Sequence, residues 1–135
     1  MKILRISHVG IAVKSLDQAS RFYGETLGIP AGDREIVEEQ KVAVAMHPLG
    51  ESCIELLEPT DPLSPIARFL NKRGPGVHHL CLEVEDLQGL LRELKARGVR
   101  LIDEIPRTGA GGCQVAFIHP ESTQGVLIEL NEEMK

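Results

Sequence analysis

The sequence predicts an α+β fold built from two β-α-β-β-β modules, eight strands in all. Three observations predict it. Two strand-like segments, His8-Val9-Gly10-Ile11-Ala12-Val13 and His79-Leu80-Cys81-Leu82-Glu83-Val84, each open on a histidine and align residue for residue. Each is followed by a helix-like segment that stops at a glycine, Gly28 or Gly98. Each module closes on a strand that sets a glutamate between apolar neighbours, Ile54-Glu55-Leu56 and Ile128-Glu129-Leu130. With His47-Pro48 and His119-Pro120 between them, these landmarks keep one order at similar separations, which marks an internal repeat.

The elements follow in order. Residues 3–13 alternate as a strand. Ser15 with Gln18 three residues on is a capping-box signature, opening a helix over Leu16–Leu27 with Leu16, Ala19, Tyr23 and Leu27 at helical spacing. Gly28 ends it, because glycine takes the left-handed C′ conformation without a Cβ clash. Ile29–Asp33 reads as a turn, Arg34–Glu39 as a strand, and Val42–Met46 as a strand that stops at His47-Pro48. Leu49-Gly50 turns the chain into a strand over Ser52–Leu57. Pro59, Pro62 and Pro65 mark a linker. Ser64 caps a short helix with Pro65 in its first position, running to about Lys72 and ending at Gly74-Pro75-Gly76. In the second module Asp86 caps a helix with Leu87, Leu90, Leu91 and Leu94 on its apolar face. Val99–Glu104, Val115–Ile118 and Val126–Leu130 read as strands, with Thr108–Gly112 as a flexible loop. The organisation is one domain: module one over 1–58, a linker with a short helix over 59–75, and module two over 76–135.

Composition narrows the function. The chain has 135 residues, 42% of them hydrophobic, enough for a core of ordinary size. A net charge of −5 with interspersed signs, and only Phe22, Tyr23, Phe69 and Phe117 as aromatics, argue against a nucleic-acid groove. Cys53, Cys81 and Cys113 are odd in number and dispersed, and read as buried free thiols in a reducing cytosol. No stretch reaches membrane-spanning length, so the expected location is cytoplasmic.

Period-2 alternation puts Glu55 on the strand face opposite Ile54 and Leu56, and Glu129 opposite Ile128 and Leu130. A carboxylate inside an apolar strand is costly unless paired. If the first and last strands of each module are neighbours, His8 meets Glu55 and His79 meets Glu129. Two imidazoles and two carboxylates around one point suit a divalent metal in an open site that water or a substrate completes. His78 points to the opposite face from His79, and His47 and His119, each before a proline, read as turn residues. Gly109-Ala110-Gly111-Gly112 lacks the Gly-Lys-Ser/Thr ending of a phosphate-binding loop.

The doubled unit with one His and one Glu per copy resembles the vicinal oxygen chelate superfamily, and within it the methylmalonyl-CoA epimerase family. The more specific segments are Asp61-Pro62-Leu63-Ser64-Pro65-Ile66-Ala67-Arg68-Phe69, Gly76-Val77-His78-His79, Gly109-Ala110-Gly111-Gly112, His119-Pro120 and Gly125-Val126-Leu127-Ile128-Glu129-Leu130. The resemblance implies a cupped eight-stranded sheet around one divalent metal, cobalt first and manganese, nickel or zinc as alternatives. Carried over, it implies His8, His79 and Glu129 as ligands, while Glu55, the fourth candidate ligand by its pairing with His8, falls where some epimerases have Gln and related lyases have Glu. It also implies an acyl-CoA substrate and a homodimer; a carboxylate in an apolar strand has a raised proton affinity, which makes Glu129 the expected base, with Glu55 serving the other face. Arg68, Lys72, Arg73 and Arg107 are candidates for coenzyme A phosphates. Some relatives carry a second catalytic carboxylate at a position that matches Val44 here, so this strand has no acid. Two alternatives stay open: a lactoylglutathione lyase of the same architecture, and a metal-free binding module that would have no need of four ligands.

Overall fold

The computed structural model describes residues 2–134. Its strands are β1 (Ile3–Ala12), β2 (Arg34–Val37), β3 (Val42–Leu49), β4 (Ser52–Pro59), β5 (Gly76–Val84), β6 (Arg107–Thr108), β7 (Gln114–Ile118) and β8 (Ile128–Glu132), and its α-helices are α1 (Leu16–Arg21), α2 (Pro65–Arg73) and α3 (Leu87–Ala96). The strands hydrogen-bond as one mixed sheet of eight in the order β2-β3-β4-β1-β5-β8-β7-β6. Two compact units divide the chain: residues 8–78, and residues 2–7 with 79–134. The second unit takes the start of β1 from the first module: the Glu85 amide donates to the Lys2 carbonyl at 3.1 Å, and Arg5 pairs with Glu83 at 2.8 Å. Among the described residues no helix is long and apolar enough to cross a membrane.

Both units use the same pairing scheme. In residues 8–78, β4 runs parallel to β1 and antiparallel to β3, which pairs antiparallel with β2. In the other unit, β8 runs parallel to β5 and antiparallel to β7, which pairs antiparallel with β6. One sheet face in each unit is covered by its helix. Leu16 and Ala19 of α1 pack with Val13, Ala45, Ile54 and Leu56. Leu87, Leu90 and Leu91 of α3 pack with Val84, Ala116, Ile118 and Leu130. The sequence therefore fixes which face each glutamate must leave: Ile54 and Leu56, or Ile128 and Leu130, go under the helix, and Glu55 or Glu129 goes to the other side.

Helix starts repeat as well. Ser15 Oγ accepts the Gln18 amide and Asp86 Oδ1 accepts the Gly89 amide, each satisfying a donor that the helix itself leaves orphaned. A second acceptor arrives from the last strand of each module. Glu58 Oε1 takes the Leu16 amide and Glu132 Oε1 the Leu87 amide, both at 2.8 Å. These glutamates lie three residues after Glu55 and Glu129, so one strand supplies both the site carboxylate and the helix cap.

Several boundaries differ from the sequence reading. The helix at residue 16 changes to a π-helical turn over Phe22–Thr26, because the Leu27 amide reaches back to the Phe22 carbonyl, and Gly28 follows at φ +75°. β2 stops at Val37, and Glu38–Gln40 form a 3-10 turn. β3 does not stop at His47-Pro48 but runs to Leu49. The Met46 amide donates outward to the Asp33 carbonyl, and Pro48 has the same parity. Pairing with β2 ends at Arg34↔Ala45, so the missing Pro48 amide removes no ladder bond. β5 begins at Gly76, three residues before His79, and β8 starts at Ile128 rather than Val126. Val99–Glu104 is not a strand. Only Leu101 bridges, to Ile118, while Asp103 Oδ2 accepts the Phe117 amide in place of a backbone carbonyl. The strand of that module falls instead at Arg107–Thr108. The loop at 109–112 is a built turn, with the Gly109 amide bonded to the Cys113 carbonyl at 2.9 Å and Gly111 and Gly112 both at positive φ.

Removing either cap tests this account. Ser15→Ala and Asp86→Ala should each lower unfolding stability by about 1 kcal/mol, read as a lower urea midpoint at unchanged slope. Unchanged midpoints would show that the strand glutamates alone satisfy the helix starts.

Candidate metal and acid–base site

The site residues follow from strand register. In residues 8–78, Gly10 of β1 lies opposite Glu55 of β4. His8 precedes Gly10 by one pleat repeat and shares its face. Its Nε2 lies 3.5 Å from Glu55 Oε2. In the other unit Cys81 lies opposite Glu129, and His79 precedes it by the same repeat. His79 Nε2 lies 3.0 Å from Glu129 Oε1. The structure thus brings each histidine to the glutamate of its own module, by the same diagonal contact between parallel strands. All four residues are buried, at 5–7% exposure. Phe117, the cross-strand partner of Glu129, sets its ring edge-on to His79 at 5.7 Å and 85°.

Each unit thus offers one imidazole nitrogen and one carboxylate, both buried, and these are donor types that divalent first-row ions take. Left alone, each carboxylate would carry the full penalty of a buried charge. The imidazole beside it answers that penalty and presents nitrogen ligands on the same face. The residues present therefore fit a resident divalent metal.

The remaining histidines do other work. His47 is fully buried and lies within β3, a correction to its reading as a turn residue. Its Nδ1 donates to the Ile29 carbonyl at 3.0 Å and its Nε2 meets Ser20 Oγ at 2.7 Å, so it ties the loop after α1 to the sheet. His119 does turn the chain, its Nδ1 accepting the Glu121 amide. His78 packs edge-on against Phe69 at 5.1 Å. Of the basic candidates, Arg68, Lys72 and Arg73 are exposed on α2, with Arg73 5.7 Å over the Phe69 ring. Arg107 Nε lies 3.1 Å from Asp103 Oδ1 as a charge pair without an aligned hydrogen bond.

Val44 is buried on the Glu55 face, so β3 brings no acid there. Its partner across the edge is Glu35 of β2, on that same face. The sequence does not single out Glu35, although it falls within the strand predicted over Arg34–Glu39. The sequence reading also passed over Asn131, two residues after Glu129 and on the same face of β8, although the period-2 signal was there.

The cysteines are all free thiols, but only Cys81 is fully buried; Cys53 and Cys113 are half-buried, which corrects the expectation for those two. Cys53 has the parity of Glu55. Burial pushes its thiol above the usual cysteine range, the nearby Glu55 carboxylate adds to the rise, and the His47 backbone partly offsets it. Cys53 therefore stays protonated to higher pH than an ordinary thiol. In metal-free protein at about pH 8.5, near an ordinary cysteine's pKa, its alkylation should lag a model cysteine peptide, and Glu55→Gln should speed it. Peptide mass spectrometry of iodoacetamide-treated protein measures both; equal rates in the two proteins would remove Glu55 from the neighbourhood of Cys53.

Comparison with known proteins agrees with this geometry. The family model of the glyoxalase/bleomycin resistance protein/dioxygenase superfamily matches residues 7–117. The Bacillus subtilis protein YqjC, described as uncharacterised, is 45% identical over 128 residues, covering 95% of this chain and 91% of that one. An ethylmalonyl-CoA/methylmalonyl-CoA epimerase of Cereibacter sphaeroides is 40% identical over 130 residues, covering 95% and 97%. A solved structure of a methylmalonyl-CoA epimerase in complex with methylmalonyl-CoA and NH4+ superposes with a TM-score of 0.94 at 36% identity, covering 98% and 96%. A doubled module with one buried His–Glu pair per copy, matched along nearly its whole length by these proteins, belongs to the glyoxalase/bleomycin resistance protein/dioxygenase superfamily and, within it, to the methylmalonyl-CoA epimerase family.

Proposed function

We propose that this chain is a methylmalonyl-CoA epimerase, inverting C2 of its acyl-CoA substrate by proton removal and return. The observation that carries the reading is one buried carboxylate per module, Glu129 at 3.0 Å from His79 and Glu55 at 3.5 Å from His8. Inversion needs a base on one side of C2 and an acid on the other. Glu129 takes the C2 proton, and the electron pair of the broken C–H bond passes into the enolate. A protonated Glu55 returns a proton to the opposite face, and both carboxyl groups reset by exchange with solvent. In the reverse direction their roles swap.

His8, His79 and Glu129 would hold one divalent ion, cobalt in the first instance, with Glu55 a fourth ligand only while it is ionised. When bound, it supplies a Lewis acid for oxygens on which negative charge develops, worth several kcal/mol in such sites. His79 is held by Phe117, so its nitrogen is oriented before any ligand arrives. The exposed cations Arg68, Lys72 and Arg73 on α2, with Arg107, are this reading's contacts for coenzyme A phosphates. A cytoplasmic location accords with three thiols and no disulfide. The reading also includes a homodimer, which light scattering would report as twice the chain mass.

The direct test incubates metal-loaded protein with methylmalonyl-CoA in deuterated water. Deuterium should enter C2 with loss of configuration. Glu129→Gln should slow that exchange by about 10²–10⁴-fold, the usual weight of a positioned acid or base, with circular dichroism unchanged. Exchange at the wild-type rate would remove Glu129 as base. No C2 exchange in the wild type, with turnover of the glutathione–methylglyoxal adduct, would replace the epimerase with the lyase.

A separate prediction concerns the ligands. His79→Ala should bind the metal more weakly by at least about 10–100-fold, the usual cost of losing even a ligand's outer support, read by elemental analysis after equilibration at limiting free metal. Undiminished metal content in that variant would mean that the ion is held elsewhere.

A further inference from the structure

We infer that Asn131 is a substrate-binding residue of the reaction site, donating its side-chain amide to an oxygen of the acyl group; this rests on the epimerase reading above. Asn131 is 6% exposed and sits on β8 two residues beyond Glu129, on the same face. The two Cα atoms are therefore about 7 Å apart, the length of one β-repeat. Its Nδ2 lies 3.3 Å from Ser7 Oγ, and its Oδ1 has no hydrogen-bond partner among the described residues. The neighbours across the sheet do not supply one: Val115 of β7 is apolar, and Glu83 of β5 is engaged by Arg5. A buried amide with one of its two polar atoms unmet is an exception among folded proteins, and it calls for a partner, a ligand or a water, that completes the set.

The chemistry decides which atom faces the ligand. An amide's oxygen and nitrogen exchange places by a half-turn of the side chain, and a hydroxyl serves either, since it both donates and accepts. With Ser7 donating to Oδ1, Asn131 presents an N–H instead of an oxygen to the face it shares with Glu129. The oxygens of a thioester and a carboxylate are acceptors, so this is the orientation that an acyl-CoA selects. Asn131 carries no charge and takes no proton. Its part is to hold the acyl group while Glu129 acts.

Asn131→Val and Asn131→Thr test this. Valine removes the amide while keeping the strand; threonine has the same shape and keeps a hydroxyl. Valine should lower kcat/KM for methylmalonyl-CoA by about tenfold to a hundredfold, the loss expected for one hydrogen bond to a charged or polarised oxygen. The loss should lie in KM and be matched by weaker equilibrium binding of malonyl-CoA, with threonine recovering part of it. Metal content and thermal midpoint should stay at the wild-type values or, for the midpoint, rise. If both variants keep kcat/KM and malonyl-CoA affinity within twofold of wild type, Asn131 meets a buried water and the inference fails while the epimerase reading stands. A wild-type protein inert towards methylmalonyl-CoA would overturn both.

Discussion

A carboxylate buried in a β-sheet next to an imidazole is the constraint from which the rest of this structure follows. Neither Glu55 nor Glu129 would be tolerated there alone, because a desolvated carboxylate carries a penalty of several kcal/mol. Each is answered by a histidine on the neighbouring parallel strand, one pleat repeat away. For that to happen, the first and last strands of a module must lie side by side, although two other strands separate them in sequence. The crossover of α1 or α3 and the antiparallel β2-β3 or β6-β7 ribbon are what bring them together. The helix then covers the face that the glutamate does not use.

The repeat is carried further than the site. The last strand of each module does three things along its length: Ile54 or Ile128 enters the core, Glu55 or Glu129 faces the imidazole, and Glu58 or Glu132 closes the start of the helix. Anchoring the helix from the same strand that holds the carboxylate stiffens both. Where the copies diverge, the divergence has a local cause. His47 is sealed between Ser20 and the Ile29 carbonyl, whereas His119 caps a surface turn. β6 is two residues long, because the Asp103 carboxylate takes over one of the amides that a longer strand would have paired.

Much of this was legible in the chain itself. The alternation around Glu55 and Glu129, the matched histidines at 8 and 79, and the caps at Ser15, Ser64 and Asp86 are local signals, and each corresponds to what the structure contains. The misreadings were of two kinds. His47-Pro48 looked like a stop because proline breaks a ladder, yet the ring falls on the side where pairing has already ended. Val99–Glu104 looked like a strand because its residues suit one, yet a side-chain oxygen outcompetes the backbone for the partner amide. Both outcomes depend on a neighbour distant in sequence.

The sequence by itself determined the repeat, the pairing of one histidine with one glutamate in each copy, and the face on which each glutamate lies, because strand parity and helix periodicity are properties of adjacent residues. Only the tertiary structure decided where each strand stops, that His47 is a sealed structural group, that Glu58 and Glu132 cap the helices, and that Asn131 keeps a buried amide half satisfied. Those are matters of which backbone and side-chain groups find partners across the sheet, and no local pattern records them.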